Sequence, residues 1–125
     1  MSKHTKLLQF DKKTALKIAQ RDKECLFCKM AYHMHSTTQL AYQIQDIMHF
    51  VNKSDGGLGI EQNGVLGCRY HHSLLDNGNK GLRQEMLEIM ERHLKSIYKD
   101  WTREALVYKK YSFETAAVLR KEERN

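Results

Sequence analysis

Four metal-binding side chains in two closely spaced pairs constrain this chain more than any other feature of its sequence. Cys25 and Cys28 are separated by two residues, and forty positions later Cys68 and His71 repeat the same spacing. Two such pairs, supplied by distant segments, are a common way for a small protein to surround a tetrahedral zinc ion. The sequence therefore predicts a Cys3His zinc site that ties the two segments together.

The fourth zinc ligand has an alternative, because a second histidine follows His71 directly. His71 is favoured because it keeps the two-residue spacing from the preceding cysteine. His72 is then left for another role, together with His49 and Asn63 upstream and Asp76 four residues downstream. A histidine, an asparagine, a second histidine and an aspartate in this order indicate a catalytic site. If His72 bound zinc instead, the series would lose its central member.

The part of the chain from about residue 25 to residue 78 resembles the HNH family of metal-dependent nucleases. The resemblance is carried by His49-Phe50-Val51, by the glycine-rich residues 54–63 and by Cys68-Arg69-Tyr70-His71-His72. In that family a β-hairpin and a short helix surround one divalent cation, and some members add a cysteine-based zinc site. The glycine-rich stretch and residues 71–78 look most like small stand-alone members encoded by bacteriophages.

The resemblance implies a role for each of four residues. His49 matches the general base that takes a proton from the attacking water, and Asn63 matches the residue that braces the hairpin and orients that base. His72 and Asp76 match the ligands of the catalytic cation, and Mg²⁺, Mn²⁺, Ni²⁺ and Zn²⁺ all suit this ligand pair. The implied reaction is hydrolysis of DNA phosphodiester bonds to give a 3′-hydroxyl and a 5′-phosphate, with RNA as a further substrate class.

The chain departs from the family pattern at one position. Many members carry an Asp or His ligand directly before the general base, whereas this chain has Met48, a poor ligand for a hard cation. Asp46 lies on the same predicted strand face as Met48 but is displaced along it. We therefore expect Asp46 to replace the missing ligand only if the strand bulges.

Sequence periodicity and helix-end signals predict the elements around this motif and the fold class α+β, and the resemblance implies that its core is of the ββα-metal type. Asp11 is predicted to cap an N-terminal helix that ends near residue 21. Strands are predicted over residues 42–50 and 65–66, and helices over residues 70–76, 80–98 and 112–119. By length we expect one domain, residues 1–125, with a nuclease core at 25–78 and a helical C-terminal extension at 80–125.

Composition favours a nucleic-acid partner in a reducing compartment. Lys and Arg number 21 against 15 Asp and Glu, which gives a formal charge of +6 and favours an anionic partner. The three cysteines are more economically explained as metal ligands than as one disulfide and one orphan. We expect no membrane segment and a cytoplasmic location, which is the bacterial host cytoplasm if a phage encodes the chain.

Two other function classes compete with the nuclease. One is a zinc-stabilised module that binds nucleic acid without cutting it, and Met48 is the best support for it. The other is an interaction adaptor that uses the apolar stripe of residues 82–97, the same helix through which a homodimer would form. The adaptor explains neither the positive charge nor the His49, Asn63, His72 and Asp76 series.

Overall fold

The architecture is α+β, as predicted, in a computed structural model that describes residues 3–77 and 81–109. Within these residues the elements are α1 Lys3–Leu8, α2 Lys12–Asp22, α3 Leu26–Lys29, α4 Leu40–Gln43, β1 Gln45–His49, β2 Gly64–Cys68, α5 Arg69–Asn77 and α6 Arg83–Ile97. Short 3-10 turns occur at Lys53–Asp55, Glu61–Asn63 and Glu104–Leu106.

The two strands form an antiparallel hairpin with a regular ladder. Gln45 pairs with Cys68 at one end and His49 with Gly64 at the other, and no residue is inserted between them. The prediction that the first strand begins at residue 42 was wrong, because residues 40–43 form α4. The reason is topological: β2 passes directly into α5 after Cys68, so residues before Gln45 have no strand to pair with.

Helix α2 begins where the sequence predicts but buries a different face. Asp11 caps it by accepting a hydrogen bond of 2.7 Å from the Thr14 N–H. The buried residues of the helix are Ile18 and Asp22, whereas Leu16, predicted to be buried, is 59% exposed. The helix therefore contributes a buried carboxylate to the interior, which hydrophobic periodicity gave no reason to expect.

Helix α6 packs most of its apolar stripe into the core of its own chain, and only Ile97 at the end of the stripe is exposed. Its buried residues are Met86, Ile89, Met90 and Leu94. They join one hydrophobic cluster that also includes Phe50 and Trp101, whose rings meet edge to face at 5.3 Å. A homodimer through this helix stays a prediction.

The predicted helix over residues 112–119 lies outside the described residues. Within residues 81–109, α6 is followed by the turn Glu104–Leu106 and by a single β-bridge that joins Val107 to Gly57. Across the described ranges, none of the helices has the length and apolar content that crossing a lipid bilayer requires.

A buried ionic network ties α2 to β2 and α6. The Asp22 carboxylate accepts two hydrogen bonds from Arg21, one from the His93 Nε2–H and one from the Leu66 N–H. Arg21 donates in turn to the backbone oxygens of Glu61 and Gly64, which flank Asn63. Burial acts to raise the pKa of Asp22, but these hydrogen bonds and the Arg21 charge outweigh it and hold the pKa well below its usual range.

We predict that Asp22→Asn lowers the free energy of unfolding by about 3 kcal/mol, because it leaves a buried guanidinium without its counter-charge. The wild type should lose stability as the pH falls below about 4, where the unfolded Asp22 binds a proton that the folded carboxylate resists. Urea denaturation of both proteins between pH 7 and pH 3 measures both effects. Glu91→Gln, which removes an exposed ion pair on α6, is the control and should change stability by less than about 0.5 kcal/mol.

Candidate metal centres and catalytic cleft

Cys25, Cys28, Cys68 and His71 converge on one point, so this group could hold a metal ion. The His71 Nδ1 lies 3.6 Å from the sulfurs of Cys25 and Cys28 and 3.2 Å from that of Cys68. The sulfurs of Cys28 and Cys68 are 3.7 Å apart. Of the two candidate histidines, His71 is the one that joins the thiols, as the two-residue spacing predicted.

These separations fit tetrahedral zinc. With zinc–sulfur distances of about 2.3 Å and zinc–nitrogen distances of about 2.0 Å, a tetrahedron has edges of about 3.8 Å between sulfurs and about 3.6 Å between sulfur and nitrogen. Three of the four measured separations lie within 0.1 Å of these edges, and the Cys68 to His71 distance is shorter. The donor set of three thiols and one imidazole is also one that structural zinc sites use.

Local backbone geometry places the ligands of each pair side by side. The Cys28 N–H donates to the Cys25 sulfur, and the His71 N–H donates to the Cys68 sulfur, both at 3.4 Å. These bonds turn the chain at the start of α3 and in the first turn of α5. The backbone oxygen of Tyr32 can only accept a hydrogen bond, so its contact with His71 Nε2 places the ring proton there. The Nδ1 lone pair therefore faces the three sulfurs.

The protonation state of the Cys3His group depends on whether a cation is bound. Burial raises the pKa values of the Cys25 and Cys28 thiols, and the neighbouring cysteines contribute to both shifts. Burial also lowers the pKa of His71, which favours the neutral imidazole that a metal needs as a ligand. Because the thiols resist ionisation without a cation, metal binding should release protons and stabilise the fold.

We predict that His71→Ala and His72→Ala have opposite consequences, although the residues are adjacent. His71→Ala removes a ligand and should weaken zinc binding and lower the free energy of unfolding by about 4 kcal/mol. His72→Ala should leave zinc affinity unchanged. Competition with a chromophoric chelator and thermal denaturation measure the two properties, and equal zinc loss in both variants would contradict the assignment.

A second group of side chains surrounds His49 at the end of β1. Its Nε2 lies 2.9 Å from the backbone oxygen of Leu8, which can only accept, so Nε2 carries the proton. The lone pair is therefore on Nδ1. The ring of Phe10 packs against the imidazole with a centroid distance of 4.2 Å. The segment after α1 thus fixes both the tautomer and the orientation of His49.

The surroundings of His49 lower its pKa and so favour the neutral imidazole. Burial is the main cause that lowers its pKa, the hydrogen bond to Leu8 opposes this shift, and the charges of Lys53 and His72 add to it. The Asp76 charge raises the pKa of the same group. The charges of His72 and Asp76 therefore both act on the pKa of His49, in opposite directions.

Asn63 is fully buried and holds the loop between the strands. Its Oδ1 accepts from the Val51 N–H at 2.7 Å, and its Nδ2 donates to the backbone oxygens of Val51 and Leu58. The loop leaves β1 immediately after His49, so these bonds fix the backbone that carries the imidazole. Asn63 contacts this backbone, so any effect of Asn63 on the His49 ring passes through the loop.

His72 and Asp76 lie one turn apart on α5 and face each other. The His72 Nε2 is 3.1 Å from the Asp76 Oδ2. They line an open cleft of about 560 Å³, whose walls are formed by Asp46, Ile47, Arg69, His72, Ser73, Asp76 and Asn77. The cleft is accessible to solvent and large enough to admit a phosphate group.

Met48 and Asp46 differ in their surroundings more than the strand pattern predicted. Met48 is fully buried in the core and is not in the cleft. Asp46 reaches His72 Nδ1 at 3.1 Å and Arg69 Nε at 3.0 Å although the strand ladder is regular. The condition under which Asp46 was expected to replace the missing ligand, a bulge in the strand, is therefore not met. Asp46 pairs with Gly67, two positions before α5 begins, so its carboxylate reaches the first turn of that helix without any distortion.

The N-terminal segment contributes to this site, and no motif in the sequence predicts that it does. The signal that could have indicated it is the apolar group Leu7, Leu8 and Phe10 among the polar and basic residues 1–10. The Gly59 N–H donates to the Leu7 oxygen. A side chain at Gly59 would collide with the backbone of Gln9, since an added Cβ would lie 2.0 Å from its oxygen. The glycine therefore allows the N-terminal segment to dock beside His49.

Comparisons of the chain with protein-family models, with curated proteins and with solved structures found no match. The functional interpretation therefore depends on the motif and on the geometry described above.

Proposed function

We propose that this protein is a metal-dependent endonuclease of the HNH type, with a ββα-metal core, that hydrolyses phosphodiester bonds in DNA. One observation carries the proposal. A strand histidine whose Nδ1 holds the lone pair lies within electrostatic reach of a helical His and Asp pair spaced as two ligands of one cation. A separate Cys3His group lies in the same small fold and is suited to structural zinc.

His49 is suited to the role of general base. Its Nδ1 would take the proton from a water molecule, and the hydroxide would attack phosphorus as the bond to the 3′ oxygen breaks. The products would be a 3′-hydroxyl, which takes a proton from solvent, and a 5′-phosphate. Because burial keeps the pKa of His49 below its ordinary value, the base is unprotonated at neutral pH.

His72 and Asp76 fit a divalent cation. Two neighbouring ligands at about 2.1 Å from an octahedral ion lie about 3 Å apart, and the His72 Nε2 and Asp76 Oδ2 are separated by 3.1 Å. When bound, the cation would stabilise the negative charge that develops on the phosphate and on the departing oxygen. Two protein ligands leave room for phosphate and water oxygens in its coordination shell.

Positive charge supports a nucleic-acid substrate. The formal charge is +6, and the exposed Arg69 guanidinium stands at the rim of the cleft. Contacts of this kind with phosphate supply affinity without reading base sequence. The backbone itself, with its regular phosphates, is thus the part of DNA that this cleft is built to recognise.

A module that binds nucleic acid without cutting it is the second candidate. The observation that favours it is the burial of Met48, which leaves the position before His49 without a cation ligand. This module needs the zinc group and the positive charge, but it does not need the orientation of His49 by Leu8 or the His72 and Asp76 pair.

We predict that His49→Ala reduces cleavage of supercoiled plasmid by at least about 100-fold, because it removes the general base. Wild type and variant are compared with Mg²⁺, Mn²⁺, Ni²⁺ and Zn²⁺ and after chelation of the added cation, with zinc content measured in parallel. His35→Ala, which removes an exposed histidine outside the metal group, is the matched control and should cut as the wild type does.

Equal cutting by wild type and His49→Ala would remove His49 from the mechanism. Plasmid binding without cutting under any of the cations would favour the binding module.

We predict that the cleavage rate rises with pH through a pKa below the ordinary value for histidine and then levels off. The sign follows from burial, which lowers the pKa of His49 and therefore lets it act as a base in more acidic solution. Single-turnover rates between pH 5 and pH 8 measure this profile. Phe10→Ala should shift the profile to higher pH because it exposes the imidazole, and a wild-type rate that still rises above pH 7.5 would contradict the assignment.

A further inference from the structure

We propose that Asp46 is a positioning residue for the cation site: it accepts the Nδ1 proton of His72 and so directs the Nε2 lone pair towards Asp76 and the cation. The inference rests on the proposed function, in which His72 and Asp76 hold the catalytic cation. It gives Asp46 a role, although the HNH resemblance does not require a carboxylate at this position.

The His72 ring lies between two carboxylates. Its Nδ1 is 3.1 Å from the Asp46 Oδ2, and its Nε2 is 3.1 Å from the Asp76 Oδ2. Both nitrogens can donate to these oxygens only while the ring carries two protons. When a cation occupies the space between Nε2 and Asp76, one proton remains, and the Asp46 carboxylate fixes it on Nδ1.

Asp46 lies behind His72 and does not share its cation face. The two carboxylates contact opposite nitrogens of one ring. Among the described residues, one group has three or more ligand atoms that all lie within 4.8 Å of one another, and it is the Cys3His group. In the same part of the chain, Asp46, His72 and Asp76 do not form a second such group. A carboxylate that holds the far nitrogen of a metal-binding histidine makes the imidazole a better and more rigid ligand.

Asp46 has a second partner, Arg69, in the first turn of α5. Arg69 donates to both carboxylate oxygens, at 3.0 Å from Nε and 3.4 Å from Nη2. Only 19% of the Asp46 side chain is exposed, whereas 59% of the Arg69 side chain is exposed. Because an exposed ion pair contributes little to stability, we assign the main effect of Asp46 to its contact with His72.

The first test measures Mn²⁺ affinity of the zinc-loaded full-length protein from the electron paramagnetic resonance signal of free Mn²⁺. Mn²⁺ suits carboxylate and imidazole ligands and not thiolates, so it reports on the cleft. Asp46→Ala should weaken Mn²⁺ binding by about 10-fold or more. Asp46→Asn should weaken it less, since an amide oxygen still accepts the Nδ1 proton, and Arg69→Ala should not weaken it.

The second test reads the position of the proton directly. At pH 8.5 and with saturating Mg²⁺, which is diamagnetic, nitrogen chemical shifts of His72 in the wild type should show a protonated Nδ1 and an unprotonated Nε2. Asp46→Ala should shift the proton to Nε2, the nitrogen that carries it in a free neutral histidine side chain. A role of Asp46 in fold stability alone would leave this tautomer unchanged.

Three outcomes would overturn the inference. The first is an unprotonated Nδ1 of His72 in the wild type. The second is an equal loss of Mn²⁺ affinity in Asp46→Ala and Asp46→Asn, which would indicate that the negative charge alone matters. The third is that the wild type does not bind Mn²⁺. These measurements need no nucleic acid, so they are independent of the plasmid assay. A wild type that shows the expected affinities but cuts no DNA would overturn the nuclease and leave the role of Asp46 standing.

Discussion

The convergence of three sulfurs and one imidazole on a single point is the constraint on which the rest of the site depends. Cys68 is the last residue of β2 and His71 lies in the first turn of α5, so a cation in this group fixes the angle at which the helix leaves the strand. His72 follows the last ligand directly. The Cys3His group therefore sets the direction in which the His72 side chain leaves the helix. A metal bound in this group would add rigidity that the core of a fold of this size cannot supply.

A second constraint acts from the opposite side, through backbone contacts. The segment after α1 holds His49 by the Leu8 oxygen and the Phe10 ring, while Asn63 fixes the loop that leaves the strand. The buried Arg21 and Asp22 pair supports that loop, since Arg21 donates to the backbone on both sides of Asn63. His49 and the pair of His72 and Asp76 therefore belong to separately braced elements.

The candidate site combines two kinds of histidine environment. Burial lowers the pKa values of His49 and His71 and keeps both rings neutral, with one proton each held by a backbone oxygen. His72 instead lies between two carboxylates. Histidine is thus the candidate base, the nitrogen donor of the Cys3His group and a candidate ligand of the proposed exchangeable cation, and the acceptor near its second nitrogen distinguishes these three environments.

The sequence by itself determined the chemistry that can be read from spacing. The Cys-x-x-Cys and Cys-x-x-His pairs predicted the metal group, and periods of two and of three to four predicted the hairpin, α5 and α6. Tertiary structure decided which acceptors face each histidine. Leu8, Phe10 and Asp46 come from other segments than the histidines they contact, and hydrophobic periodicity carries no information on such long-range contacts. It also decided the start of β1, because the partner strand ends where α5 begins, and a strand cannot extend beyond its partner.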